Sequence, residues 1–399
     1  KGETMFSSFR LKCFAIVALA GLLGTIQVQA FEYAEPDSDQ YLITVGDPAD
    51  PKYANAGSNL ANGVGALFIE FAGLPPGYGF VCTAAAISDV HILTAAHCVR
   101  ETNDTVTRVR FVLSAGLPAP LILDAQSFTV HPWYDIFSPF YGAFAHGDLA
   151  IVELAEPLPA DIDTYDIYRD FDEFDKMARH YGHGSSGKGT KGATSGSEFF
   201  YARTGLNAYE QVLSPLLGDG IDDQLIFDFD SGGSKHNAMA WWFSTQVICG
   251  REKVDNPPWA QDGQCTTLTN KNYPDHKGYR KLEVGSAPGD SGGPAFIDGK
   301  IAGVHSFGFT HYCSGVTNGT DFTCGLDSSF GEMSGDTRVS FHADFIDLVL
   351  GGAFPSTPIP EPVPEPAAAE SAAVSELLSP MGHLFMNNTF SAEMRGKVE

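Results

Sequence analysis

Positive charge is scarce in this 399-residue chain: 24 Lys and Arg stand against 49 Asp and Glu, a formal net charge of −25. So acidic a surface repels phosphate backbones and anionic bilayers, which excludes nucleic acid as a partner and reads instead as a solubilising coat. Long apolar runs are nearly absent. The one near the N-terminus, Cys13 to Ile26, falls short of the about 20 residues that a membrane span needs. Metal signatures are missing as well, with no Cys-x-x-Cys or His-x-x-x-His spacing and no EF-hand loop. The acidic clusters Asp161-Asp163-Asp166 and Asp219 through Asp230 therefore read as solvated loops, and calcium is the one cation they leave open. Residues 182–189, GHGSSGKG, nearly fit a phosphate-binding loop, but Gly189 stands where a hydroxyl would hold magnesium, so the stretch reads as a flexible loop.

What is present points to a globular, exported chain. Hydrophobic residues make up 43% and aromatics 12%, enough for a sizeable core. Met5, then Arg10 and Lys12, then the short apolar run, then Val28-Gln29-Ala30 form a secretory signal layout. The expectation is a signal peptide over residues 1–30, a mature start at Phe31 and a secreted product without a transmembrane segment. Loss of Cys13 leaves Cys82, Cys98, Cys249, Cys265, Cys313 and Cys324. An even set in an exported chain favours disulfides, and the grouping into local couples suggests Cys82–Cys98, Cys249–Cys265 and Cys313–Cys324.

Short runs rich in β-branched and aromatic residues, such as HILTAAHC, VTRVRFVLS and LILDAQSFTV, fill residues 64–158. A second set, including QLIFDFD, GGPAFI and IAGVHSFGF, follows a glycine-rich interval. The reading is an all-β protein of two antiparallel barrels or sandwiches, about 64–158 and about 176–337. Residues 31–63 form an N-terminal extension or pro-segment. In SFHADFIDLVL, Phe341, Phe345, Ile346, Leu348 and Val349 recur at helical spacing, so a helix over about 339–350 closes the domain at 351. Residues 352–399, rich in Pro, Glu and Ala, read as a disordered tail.

Three local patterns occur in one order: Leu93-Thr94-Ala95-Ala96-His97-Cys98, then Gly147-Asp148-Leu149-Ala150-Ile151, then Gly289-Asp290-Ser291-Gly292-Gly293-Pro294. Together they resemble the chymotrypsin/trypsin-like serine protease family, over roughly residues 64–350. The likeness extends to Cys82, to His131-Pro132 and to Ser306-Phe307-Gly308. It implies two six-stranded antiparallel β-barrels and an endopeptidase that needs no cofactor and acts on protein or peptide substrates. Protein inhibitors and an activating protease are the further partners it suggests. A serine hydroxyl is a poor nucleophile at neutral pH, so it needs an imidazole to take its proton, and that imidazole needs a carboxylate on its other nitrogen. His97, Asp148 and Ser291 fit these roles. The backbone N–H groups of Gly289 and Ser291 match the family's oxyanion hole. His91 and His131 lack such a context and read as structural.

The resemblance also exposes departures. Trypsins carry aspartate six residues before the serine, and this chain has Gly285, followed by Ser286. Preference for Lys or Arg thereby loses its electrostatic support. Gly308 matches a glycine that leaves the pocket mouth open, and His305, Ser306 and Phe307 complete the expected pocket. Large apolar or amide side chains are the first expectation and acidic ones the second, since some relatives that cleave after glutamate carry histidine where His305 stands. Ala287 replaces the half-cystine that usually braces the pocket. Asp290 matches the aspartate that pairs with a newly released N-terminal amine. The nearest activation sequence is Ile43-Thr44-Val45-Gly46, with no Lys or Arg between Phe31 and Leu42. Either another protease cuts after Leu42 or the pocket is ordered in another way. The rival to an enzyme is a protease-like binding or adhesion protein that keeps the fold without turnover.

Overall fold

The computed structural model describes residues 43–44, 47–75, 78–100, 105–135, 144–195, 201–233, 236–240, 245–249, 265–269, 278–310, 321–323 and 326–360. The expected signal segment, the pair Cys313 and Cys324, and the tail past residue 360 lie outside the described residues.

One antiparallel sheet runs in the order Thr357–Pro358, Leu121–Val130, Val106–Leu113, Val64–Phe71, Phe80–Ala86, His91–Thr94 and Ala150–Leu154. Leu121–Val130 also pairs with Ala150–Leu154, with Thr129 opposite Ile151, so six of these strands close into a barrel. The barrel fills with Leu67, Ile69, Val109, Phe111, Ile92 and Ile151, all buried.

The second sheet runs in the order Arg203–Ala208, Met177–Gly182, Pro294–Ile297, Lys300–Phe309, Met333–Arg338, Gln224–Asp228 and Gln211–Val212. Its two end strands are successive pieces of one run, interrupted at Tyr209-Glu210. Tyr209 is fully buried and turns its hydroxyl to Asp336 at 2.5 Å. The sheet therefore curls until both edges meet one stretch of chain, with no ladder between those edges among the described residues. The closed six-stranded second barrel expected from the sequence is corrected to a curled seven-stranded half-barrel.

Several sequence expectations change for physical reasons. Residues 182–189 are not a flexible loop: Ser186–Lys188 sits in a small sheet between Gly192–Ser195 and Ile43–Thr44, which in turn pairs with Val284–Gly285. Ile43 and Tyr53 are fully buried, so the described part of the N-terminal extension belongs to the folded body. The tail begins later than expected, because Thr357–Pro358 adds a strand to the first barrel and Ile359 is buried in its core. The acidic stretch Asp219 to Asp230 is not a solvated loop either, since Asp223, Asp228 and Asp230 are buried. The closing helix spans Ala343–Leu350 and packs Phe345 and Ile346 into the first barrel's core, while Leu348 stays exposed.

Cys82 and Cys98 form a disulfide that ties the one-turn helix Ala96–Val99 to the strand Phe80–Ala86. Cys249 and Cys265 stand directly opposite each other across a two-stranded ribbon. Replacing Cys82 and Cys98 together by serine is expected to lower stability by about 3 kcal/mol, the loop-closure contribution for a separation of this length. Denaturant unfolding of the two proteins checks this, and equal midpoints would contradict it.

Candidate active site

The residues singled out by the three patterns gather where the two sheets meet. After the strand His91–Thr94 the chain turns through Ala95 into the helix Ala96–Val99. Ala95, Ala96, Cys98 and Val99 are buried, and His97 alone keeps a side chain 20% exposed. Small alanines let the turn lie flat on the barrel, so its one polar side chain points outward. His97 Nδ1 meets Asp148 Oδ2 at 2.7 Å, and the His97 backbone N–H donates to Asp148 Oδ1 at 2.8 Å.

Asp148 is 2% exposed, so both its oxygens need donors. A third comes from the second sheet: Ser306 Oγ donates to Oδ2 at 2.5 Å. Thr337 Oγ1, also from that sheet, donates to the Asp148 carbonyl at 2.8 Å. With the carboxylate on Nδ1, the His97 proton is held there and Nε2 is left as the acceptor.

Ser291 lies in the tight loop 289–293. Gly292 adopts φ +81°, and a Cβ there would stand 2.0 Å from Thr94 Oγ1 and 2.3 Å from the Thr83 carbonyl. Only glycine lets the loop come this close. The Ser291 carbonyl accepts from the Thr83 N–H at 2.7 Å and lies 3.7 Å from Cys98 Sγ, which sets the residue beside the turn carrying His97. Among the described residues, the N–H groups of Gly289 and Ser291 donate to no protein oxygen. A pair of unengaged backbone donors flanking a serine is suited to an oxyanion.

Asp290 is fully buried. Its carboxylate accepts from the Gly184 N–H at 2.7 Å and the Ala287 N–H at 2.8 Å. Burial pushes its carboxyl up to about 7, against the pull of His305 and those two N–H groups. Ile43 shares a buried cluster with Ala287, whose N–H is one of the two donors.

A small open pocket lies at the strand Val284–Gly285, and Gly285, Ser286 and Gly308 line it. The other three residues expected there do other work, a correction to the sequence reading. His305 is buried, donates from Nδ1 toward Asp336 at 2.7 Å and stacks on His180, with ring centroids 5.1 Å apart. Burial alone would lower its pKa, but Asp336 and Asp290 outweigh that and raise it. Ser306 serves Asp148, and Phe307 packs edge-on against Phe144.

Sequence reasoning missed Phe229, Glu332 and Met333, which also line the pocket. A Cβ at Gly285 would meet the Phe229 ring at 3.0 Å, so the ring would have to give way for an aspartate there. The Glu332 carboxylate accepts from the N–H groups of Asp327 and Ser328, and burial pushes its carboxyl up to about 9. No local pattern marks these residues, because strand register alone brings them to Gly285. Among the described residues four groups of His, Cys or carboxylate side chains stand close enough to share an ion, one of them, Glu210, Asp228 and Asp230, within or beside the acidic stretch left open to calcium, and another with Cys82 and Cys98 already committed to their disulfide.

Residues 68–234 match the family model of Trypsin, a stretch that holds His97 and Asp148 and ends before Ser291. Phenoloxidase-activating factor 3 of Holotrichia diomphalia is 35% identical over 94 residues, 20% of this chain, and the match spans 26% of that relative's length. A solved structure titled Hl collagenase matches with a TM-score of 0.45 at 16% identity, over 75% of this chain and 97% of that one. Over residues 68–234 the chain is thus similar to the Trypsin family.

Proposed function

We propose that this chain is a secreted serine endopeptidase that hydrolyses peptide bonds through an acyl-enzyme on Ser291. The observation that carries the reading is Asp148, held by His97 and Ser306 from opposite sheets next to the Ser291 loop. Ser291 Oγ attacks the scissile carbonyl while His97 Nε2 takes its proton, and the N–H groups of Gly289 and Ser291 receive the oxyanion. Collapse breaks the C–N bond and His97 gives its proton to the leaving amine. Water, deprotonated by His97, then cleaves the ester and restores Ser291. Asp148 orients the ring and stabilises the imidazolium. The chemistry needs no cofactor.

The pocket favours large apolar or amide side chains at the residue before the cleaved bond. Phe229 and Met333 supply apolar surface, and Ser286 and Ser334 supply hydroxyls. Glu332, with its carboxyl near 9, is neutral at ordinary pH and offers a hydrogen bond where a charge would select Lys or Arg. His305 faces Asp336, which removes the support for acidic side chains. Protein substrates and inhibitors are the partners that follow. Among the described residues no helix is long and apolar enough to cross a membrane.

Cleavage of a mixed peptide library is expected after Phe, Leu, Met or Gln, and Ser291→Ala or His97→Ala is expected to lower kcat/KM by about 10⁴-fold or more. Predominant cleavage after Lys or Arg would overturn the pocket reading, and no cleavage would leave the binding-protein alternative. Gly285→Asp alone is expected to give no activity on Lys substrates and to destabilise the fold by about 1–3 kcal/mol through overpacking against Phe229. Combined with Phe229→Gly it is expected to accept them, and Lys cleavage by the single variant would contradict this. Activation is expected to cut after Leu42, so that the freed amine of Ile43 meets Asp290. N-terminal sequencing of the active form checks it, and a start remote from Ile43 would exclude it.

A further inference from the structure

Against Gly147, the residue before Asp148, lies a chain of buried ionisable groups that the catalytic cycle does not use. Asp223, at the start of the strand Gln224–Asp228, is fully buried and takes three donors. His146 Nδ1 meets its Oδ1 at 2.5 Å, the Gly147 backbone N–H meets Oδ2 at 2.9 Å, and His342 Nε2 meets Oδ2 at 3.1 Å. Gly147 immediately precedes Asp148 and holds φ +69°, where a Cβ would stand 2.6 Å from His131 Nδ1. The turn that delivers Asp148 is therefore pinned by its N–H and has no room to shift sideways.

The protons on this chain follow from the geometry. The Trp133 N–H donates to His131 Nδ1 at 3.2 Å, so His131 carries its proton on Nε2 and donates to His342 Nδ1, also at 3.2 Å. His342 is then left to donate from Nε2 to Asp223. Burial, with His342 beside it, takes His131 down to about 3, so it stays neutral. His146 differs, because its other nitrogen, Nε2, meets Asp219 Oδ2 at 2.9 Å. Both ring nitrogens face carboxylates, so both donate, and the ring is an imidazolium. Among the described residues, the ionisable side chains that face it are Asp219 and Asp223, with His342 and then His131 beyond Asp223. Gln224 caps the carbonyls of Phe144 and Ala145 just before it.

We propose that Asp223 and His146 are positioning residues for Asp148: through Gly147 they fix where its carboxylate meets His97, and they do so while His146 carries both ring protons. The proposal rests on the serine endopeptidase reading. Burial lowers the His146 pKa, but the hydrogen bonds and charges of Asp223 and Asp219 outweigh it and raise the ring above its ordinary value. Burial likewise raises Asp223, yet His146 and His342 hold it at about 2. A His raised in the folded state stabilises below its unfolded pKa and loses that contribution as pH rises through the folded one. The clamp is intact at neutral pH and loosens on the alkaline side, where a neutral ring has one N–H for two carboxylates. His97 works in the opposite sense, because its protonation switches activity off in acid.

Two variants and two readouts test this. Asp219→Asn acts at the partly exposed end of the clamp, its side chain 12% exposed, and leaves the bond from Gly147 to Asp223 in place. It is expected to move the alkaline limb of kcat to lower pH by about one unit or more, with KM unchanged, because one of two carboxylate charges beside His146 is gone. Asp223→Asn is expected to lower kcat by about tenfold to a hundredfold at unchanged KM, the effect of a displaced catalytic group. Histidine C2-hydrogen exchange followed by mass spectrometry, in a Ser291→Ala background, reports the His146 and His97 midpoints without any turnover. Asp219→Asn is expected to lower the His146 midpoint, and Asp223→Asn to shift that of His97. If both variants fold and neither midpoint moves, the proposal is overturned. If the midpoints move as expected while the unmutated chain cleaves no peptide, the positioning geometry stands and the endopeptidase reading fails.

Discussion

A carboxylate shut away from water is costly unless each of its oxygens is met, and Asp148 is met from both sheets at once. His97 supplies a ring nitrogen and a backbone N–H from the first barrel, Ser306 a hydroxyl from the second sheet, and Thr337 holds the Asp148 carbonyl. The interaction therefore does two things. It fixes the tautomer of the His97 imidazole, and it makes the approach of the two sheets a condition for satisfying a buried charge. Much else reads as support for that contact. The disulfide steadies the His97 turn, Gly292 lets the serine loop press against Thr83 and Thr94, and Asp223 pins the residue just before Asp148.

The second sheet carries an unusual load of buried charge. Asp336 is fully buried, with His305 on one oxygen and Tyr209 on the other, and its carboxyl is held below the usual range despite burial. His305 in turn lies behind the serine loop, where its N–H meets the Gly293 carbonyl at 2.9 Å and the Gly292 N–H meets its own carbonyl at 2.7 Å. The backbone of the residue that the sequence offered to the substrate instead anchors the loop, and its ring lends charge to Asp290. The pocket is lined instead by groups with no local signature: the Phe229 ring, which a Cβ at Gly285 would meet at 3.0 Å, and Glu332, whose carboxyl burial pushes up to about 9.

What was legible in the sequence was whatever depends on near neighbours. His97 is flanked by alanines and a half-cystine, Asp148 by a positive-φ glycine and an apolar strand, and Ser291 by glycines that allow a sharp turn. The first barrel was legible too, because its strands are continuous runs of β-branched and aromatic residues. What was not legible depends on pairings far along the chain. His146 meets Asp223 across 77 positions and Ser306 meets Asp148 across 158, and nothing in either segment announces the other. The acidic stretch 219–230 looked like a solvated loop because composition does not say which carboxylates have buried partners. The strand Thr357–Pro358 was hidden in a proline-rich run, where the backbone is already extended and needs only a free edge to join.

The central claim is that the surroundings of Asp148 and His97 make Ser291 a nucleophile. A fluorophosphonate probe reacts with an activated serine hydroxyl and leaves a stable phosphonyl adduct that peptide mass spectrometry can place on a single residue. The account predicts one adduct per chain, on Ser291, formed with the purified active form and lost when Asp148→Asn turns the His97 ring into the wrong tautomer. Labelling of other serines alone, or labelling of Ser291 at the same rate in Asp148→Asn, would contradict it.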